Sequence, residues 1–299
     1  MSEASALPIR SWLYVPGQRA NMVTKSLGLE ADAVIYDLED AVPPAGKAEA
    51  RNVLSGLLSS PPPSGSPLRW VRLNHPRHRE LFLEDLACAL GLHLHGVVLP
   101  KVETVAQLEA ADAAIAAAER RAGIEPGSTR LMFLLESPLG VVNAYPLAAA
   151  LERTVAVSFG GEDFSRELGL PLVRTGEARS LVHQRAAVAT AAAAAGVQAV
   201  DVIWPGLDDQ DGFAAEALQA RRLGFTGKAA IHPAQLPLIH TAFDPTPDEV
   251  AYAREVLEAY EEAVAGGTGA INHKGAFLEE PVIARARLVL ALAGRDQGR

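Results

Sequence analysis

Eight short apolar runs punctuate the chain, each followed by a stretch with helical spacing. They read SWLYVPG (11–17), AVIYDLED (33–40), RWVRLN (69–74) and GVVLPKVE (96–103), then RLMFLLES (130–137), TVAVSFGGED (154–163), AVDVIWPGLDD (199–209) and KAAIHP (228–233). Their apolar residues run on without alternating, as in strands buried on both faces of a parallel sheet. Between them lie KAEARNVLSGLL (47–58), RELFLEDLACAL (79–90) and TVAQLEAADAAIAAAERRAG (104–123), the last with Leu108, Ala111 and Ile115 on one helical face. Eight β–α alternations predict an α/β fold, a closed (β/α)8 TIM barrel rather than an open doubly wound sheet. Right-handed crossovers leave few other topologies.

Two segments break the rhythm. SSPPPSGSP (59–67) reads as a surface loop before the third strand. After the barrel, residues 1–244, comes a C-terminal helical extension, 245–299. Pro247 to Ala265 and Pro281 to Gly294 read as helices, and GGTGAINHKGAFLEE (266–280) as a Gly-rich loop. So short a tail is expected to lack a core of its own and to dock on the barrel or on a neighbouring subunit.

Composition narrows the class. The chain has 299 residues, 49% of them hydrophobic, which is ample for one packed core. Its formal net charge is −9, with no Lys/Arg-rich run. That argues against nucleic-acid binding, which needs a basic patch. Cys88 is the only cysteine, so no disulfide forms within the chain, and a cytoplasmic setting is expected. No secretory leader is expected from residues 1–10, and no membrane span from a chain without a run of about 18 apolar residues.

Candidate chemistry gathers where each apolar run ends, at the C-terminal rim that carries the active site in such barrels. Glu136 and Asp163 end successive strands, and two carboxylates completed by water and ligand oxygens suit Mg²⁺. Helix capping is the other reading for Asp163. Gly160 and Gly161 either let backbone N–H groups cradle a carboxylate or form a tight turn. Glu162 and Asp163 are expected to project differently from an extended strand, so that one alone meets the metal. Arg72 offers a bidentate grip on substrate, a structural pair with Glu39 or Asp40, or both. Asp37, Glu39 and Asp40 are read as a cluster that orients Arg72 or Lys101. Lys47 and Arg51 are read as solvated or paired to that cluster, Lys25 and Arg19 as surface cations, and His232 as structural. Trp204 suits core packing or a flat ligand ring.

Nine motifs then occur in order: YVPG (14–17), DLEDAV (37–42), KxxAR (47–51), VRLN (71–74), LPKVE (99–103), LLESxxGVxN (134–143), FGGEDFSxELG (159–169), GFTGK (224–228) and IHPAQ (231–235). Together they resemble the citrate lyase β-subunit-like proteins of the HpcH/HpaI aldolase superfamily over residues 10–294. The resemblance implies a barrel with a C-terminal extension, assembled as a homotrimer or hexamer. It implies Mg²⁺ on Glu136 and Asp163, with the substrate keto acid chelating the metal and its carboxylate held by N–H groups at Gly161, Glu162 and Asp163. It further implies substrate contact by Arg72 and CoA contact by Tyr14 and Lys25. A neighbouring subunit of many relatives supplies a catalytic Asp in a GxxxD segment. This chain has GAFLEEP (275–281), with Glu279 at that place, a carboxylate one methylene longer.

The implied activity is a Mg²⁺-dependent carbon–carbon lyase. It would cleave or form a 3-hydroxyacyl-CoA such as citryl-, malyl- or citramalyl-CoA, with acetyl-CoA and oxaloacetate, glyoxylate or pyruvate as products. Two alternatives stand: a citrate lyase β-subunit acting on an acyl group carried by an acyl carrier protein, and a CoA-free aldolase of the same superfamily.

Overall fold

The computed structural model describes residues 7–171, 179–265, 271–273 and 276–295. Eight parallel strands close into a barrel in sequence order. They are β1 (Ser11–Pro16), β2 (Ala33–Asp37), β3 (Leu68–Arg72), β4 (Gly96–Leu99), β5 (Arg130–Leu135), β6 (Thr154–Phe159), β7 (Gln198–Asp201) and β8 (Gly227–Ala230). β8 pairs with β1 to shut the ring, Trp12 opposite Ala229. Each strand lies inside one of the eight apolar runs or overlaps it within a residue. Helices Lys47–Leu58, Arg79–Ala89 and Val105–Ala122 occupy the three helical stretches read from the pattern.

Strand alternation sorts side chains into two cores. Trp12, Ile35, Trp70, Val98, Met132 and Val200 form a cluster that fills the barrel interior. The intervening positions, such as Val34, Val71, Val97 and Phe133, join the larger cluster under the helices. Trp12 and Trp70 meet edge to face, with ring centroids 5.2 Å apart. Gly96 makes room for them, since a Cβ there would stand 2.3 Å from the Trp70 ring. Above this plug the interior side chains turn polar, and the site begins.

The chain divides into two compact units, Pro8–Phe243 and a second made of Leu7 and the described residues from Asp244 onward. The second unit corrects two expectations. It has a small core of its own in Ala253, Val256, Leu278, Ile283 and Ala286. These residues come from helices Pro247–Ala265 and Glu280–Ala293 and from a short strand. Part of the segment read as loop is an antiparallel ribbon of β9 (Ile271–His273) and β10 (Ala276–Leu278). Cross-strand hydrogen bonds order a sequence whose glycines alone favoured a loop. Residues 266–270 and 274–275 of that segment lie outside the described residues.

The sixth apolar run also differs. β6 stops at Phe159 and a helix starts at Gly161, so Glu162 and Asp163 sit in the first turn of helix Gly161–Leu168, not in an extended strand. Acidic side chains there complement the helix dipole.

Candidate active site

The C-terminal ends of the strands enclose a cavity of about 380 Å³. Among the described residues, five carboxylates line it (Asp37, Asp40, Glu136, Glu162 and Asp163) against the single guanidinium of Arg72. Tyr14, Ser158 and Ala229, from β1, β6 and β8, also line it.

Strand register builds the first wall. Asp37 and Arg72 are direct partners across β2 and β3. The guanidinium grips the carboxylate through both ends, Nε to Oδ1 at 2.7 Å and Nη2 to Oδ2 at 2.6 Å. Its Nη1 lies 3.1 Å from Glu39 Oε2. Arg has five N–H donors, so two remain for a ligand after these three contacts. Asp37 also accepts from the backbone N–H of Glu39 and Ala41, which shapes the loop after β2. Burial opposes the charge of Arg72, but Asp37 outweighs it and holds the guanidinium firmly protonated.

Lys101 ties that wall to the far side. Its Nζ donates to Glu39 at 2.5 Å and to Asp40 at 3.0 Å, and stands 3.6 Å from Asp163. Burial works against the Lys101 charge, but the hydrogen bonds to Glu39 and Asp40 raise its pKa above the ordinary lysine value. Lys101 is the only non-glycine residue with positive φ, 54°, among those described. Backbone strain of this kind persists where surrounding contacts over-determine it, often at functional sites.

Glu136, just past β5, is a buried carboxylate of the cavity. It is 4% exposed, and its Oε2 is buried with no hydrogen-bond partner. Burial pushes its pKa up to about 8, against the pull of Arg72 and with Glu39 adding to the rise. Gly160 passes directly beneath its side chain. Asp163 is half-buried and shares its oxygens between Lys101 and Arg166, the latter at 2.8 Å. Gly161, Glu162 and Asp163 form the first turn of their helix, where backbone N–H groups point out of its N-terminal end.

This donor set fits Mg²⁺. The cavity carries a surplus of negative charge, Glu136 has a buried unpaired oxygen, and all candidate ligands are hard carboxylate oxygens. Among the described residues, no group of three or more His, Cys, Asp or Glu side chains is arranged around a metal position. Two protein ligands, with water and substrate oxygens completing the shell, suit an ion that keeps its waters.

The HpcH/HpaI aldolase/citrate lyase family model matches residues 10–233. The chain belongs to that family. Citrate lyase subunit beta of Escherichia coli (strain K12) is 38% identical over 284 residues, 95% of this chain and 93% of the relative. A (3S)-malyl-CoA thioesterase of Cereibacter sphaeroides (strain KD131) is 34% identical over 289 residues, 96% and 95%. Among solved structures, the CitE protein of Mycobacterium tuberculosis in complex with magnesium, acetoacetate and coenzyme A has 30% identity and a TM-score of 0.78, over 97% of this chain and 99% of that one.

The remaining family positions fall in different places. Tyr14 is in the cavity wall, and the Arg72 Cζ stands 5.1 Å from its ring centroid. Glu39 bridges Arg72 and Lys101 from behind. Lys25 is exposed on helix Ala20–Ser26. Glu279 is in the second unit, exposed at the N-cap of helix Glu280–Ala293, where its side chain makes no capping bond.

Two readings need correction, those of Lys47 and Arg51. Lys47 is buried rather than solvated, and its ammonium donates to the carbonyls of Leu38 and Glu39 at 2.7 Å each, pinning the acidic loop from below. Arg51 pairs with Glu84 and Asp85 instead of the acidic cluster. Trp204 is buried outside the cavity lining. His232 caps a short 3₁₀ turn through Nδ1.

Sequence reasoning missed a buried charge network behind the site. Lys228 donates to Asp201, Glu216 and the carbonyl of Val202, at 2.7–2.8 Å, and Arg185 grips Asp201 through two bonds of 2.9 Å. Val202 is a cavity wall. The signal was a lysine within the apolar run KAAIHP, where an unpaired charge would be too costly to bury.

Proposed function

We propose that the protein is a Mg²⁺-dependent carbon–carbon lyase acting on a 3-hydroxyacyl-CoA, with acetyl-CoA and an α-keto acid as products. The observation that carries this reading is the unpaired, buried carboxylate oxygen of Glu136, in an acid-rich cavity it shares with Asp163.

Glu136 and Asp163 would hold the ion, which supplies Lewis acidity to the substrate's hydroxyl and keto oxygens. The backbone N–H groups of Gly161, Glu162 and Asp163, at the N-terminal end of their helix, would take the carboxylate of the keto-acid half. When the carbon–carbon bond breaks, the hydroxyl oxygen gives up its proton to solvent and becomes the keto oxygen, and the electron pair of the bond passes to the thioester half, giving an enolate. The two spare N–H donors of Arg72 stabilise that enolate oxygen. Glu279, delivered from a neighbouring copy in a homotrimer or hexamer, would protonate the enolate carbon. Lys25 would meet the CoA phosphates, and Tyr14 the thioester end. The setting is proposed as cytoplasmic. No described helix is long and apolar enough to cross a membrane.

A carrier-dependent reading has one specific support: the E. coli relative at 38% identity is a citrate lyase subunit, above the 34% of the thioesterase.

Incubation of the purified protein with citryl-, malyl- and citramalyl-CoA, with Mg²⁺ or with EDTA, tests the choice by mass spectrometry. Metal-dependent release of acetyl-CoA and a keto acid is the expected result. No turnover of any thioester, in protein that still binds oxaloacetate with Mg²⁺, would favour the carrier-dependent subunit or the CoA-free aldolase.

A further inference from the structure

The Tyr14 hydroxyl is buried at the cavity and has no hydrogen-bond partner. Strand alternation accounts for its position. Trp12, Tyr14 and Pro16 occupy alternate places on β1, Trp12 in the interior plug and the other two in the cavity wall. Across the floor stand Leu134 and Ser158, register partners on β5 and β6. The guanidinium of Arg72 covers one face of the tyrosine ring.

A buried hydroxyl without a partner destabilises the fold, and a phenylalanine would fill the same space without that penalty. Native structures leave few such groups, and one that faces an active cavity points to a partner that arrives with the ligand. Burial keeps this phenol protonated far above neutral pH, so it is a donor under working conditions. Arg72 needs such help. Three of its contacts go to Asp37 and Glu39, whose negative charges offset its own. A neutral donor beside it adds hydrogen bonding at an oxygen that gains charge, without adding to the charges already crowded there.

We propose that Tyr14 is a catalytic residue whose hydroxyl donates a hydrogen bond to a carbonyl-type oxygen of the substrate, beside Arg72. This rests on the lyase reading of the cavity. It goes beyond the family resemblance, which implies only a CoA contact for Tyr14. The paired donors, one charged and one neutral, form a cradle for the oxygen that becomes an enolate.

Tyr14→Phe in the full chain with Mg²⁺ tests this. The expected result is a fall in kcat/KM on the order of 100-fold, carried mainly by kcat, with a melting temperature equal to or above that of the native protein. Native turnover in the variant overturns the proposal. So does a loss of activity matched by a lower melting temperature, which marks a packing role. Calorimetric titration of oxaloacetate and pyruvate with Mg²⁺ separates this proposal from the reading beneath it. If the native protein turns over no thioester yet binds a keto acid, titration of acetyl-CoA onto that complex decides: weaker acetyl-CoA binding by Tyr14→Phe supports the assignment, and equal binding overturns it. If the native protein binds neither acid, the lyase reading itself fails and the assignment of Tyr14 falls with it.

Discussion

Glu136 lies across Gly160: a Cβ on Gly160 would stand 2.3 Å from the Glu136 Cγ and 3.0 Å from its Cδ. The two residues follow neighbouring strands, and the Gly160 N–H donates to the Leu135 carbonyl at 2.9 Å. The missing side chain is what lets the carboxylate settle against backbone. Gly160→Ala should displace Glu136 and lower Mg²⁺-dependent turnover about 100-fold, the scale of a 1 Å misplacement. A Mg²⁺ titration beside a circular dichroism spectrum reads this. A variant with native folding and native Mg²⁺ affinity would show that Glu136 does not need that position.

Glu136 also sets a pH dependence. Its folded pKa of about 8 stands above the ordinary value of 4.5. The folded protein therefore holds this proton where the unfolded chain has released it. Metal-free protein should lose stability as pH rises from about 4.5 through 8, and then level off. Glu136→Gln, which keeps the shape and cannot ionise, should flatten that slope in a melting series. Mg²⁺ affinity in the native protein should rise with pH up to about 8, with proton release on binding. A pH-independent affinity would remove Glu136 from the ligand set.

Asp37 and Arg72 act as one unit. The Asp37 side chain is 2% exposed and that of Arg72 is 11% exposed. Removing one partner strands the other in a dry place. Asp37→Ala should cost about 3–5 kcal/mol in a denaturant titration. Arg72→Lys keeps the charge but loses the planar fork, and kcat should fall on the order of 100-fold. Native kcat in that variant would show that the spare N–H groups of Arg72 do not touch the reacting oxygen.

Lys228 offers a contrast at a distance from the chemistry. Its ammonium is fully buried between Asp201 and Glu216. Lys228→Met should destabilise by about 3–5 kcal/mol, because two carboxylates lose a shared cation. Since Lys228 also holds the Val202 carbonyl at the cavity wall, KM should rise in the folded variant. Unchanged stability would show that Arg185 alone suffices for Asp201.

The barrel was legible because its signal is local and repeated. A strand buried on both faces must be apolar throughout, and eight such runs separated by helical spacing leave little choice of architecture. The rim was legible for the same reason, since Asp37, Arg72, Glu136 and Asp163 each follow an apolar run. The ribbon Ile271–His273 and Ala276–Leu278 was not legible. Three-residue strands have no period to detect, and their bonding partner is what orders them. Lys47 misled in another way, because a lysine on a helix looks solvated until the carbonyls of Leu38 and Glu39 are found above it.

The sequence by itself determined the strand count, the closed architecture and the family, because burial periodicity and motif order are properties of the chain alone. Only the tertiary structure decided which polar atoms find partners. Asp37 meets Arg72 through the register of two strands, Lys101 is pulled into a left-handed backbone between Glu39, Asp40 and Asp163, and Tyr14 and Glu136 are left with unpaired atoms in one cavity. Hydrogen-bond satisfaction depends on distances between residues far apart in sequence, and closing the barrel is what sets those distances.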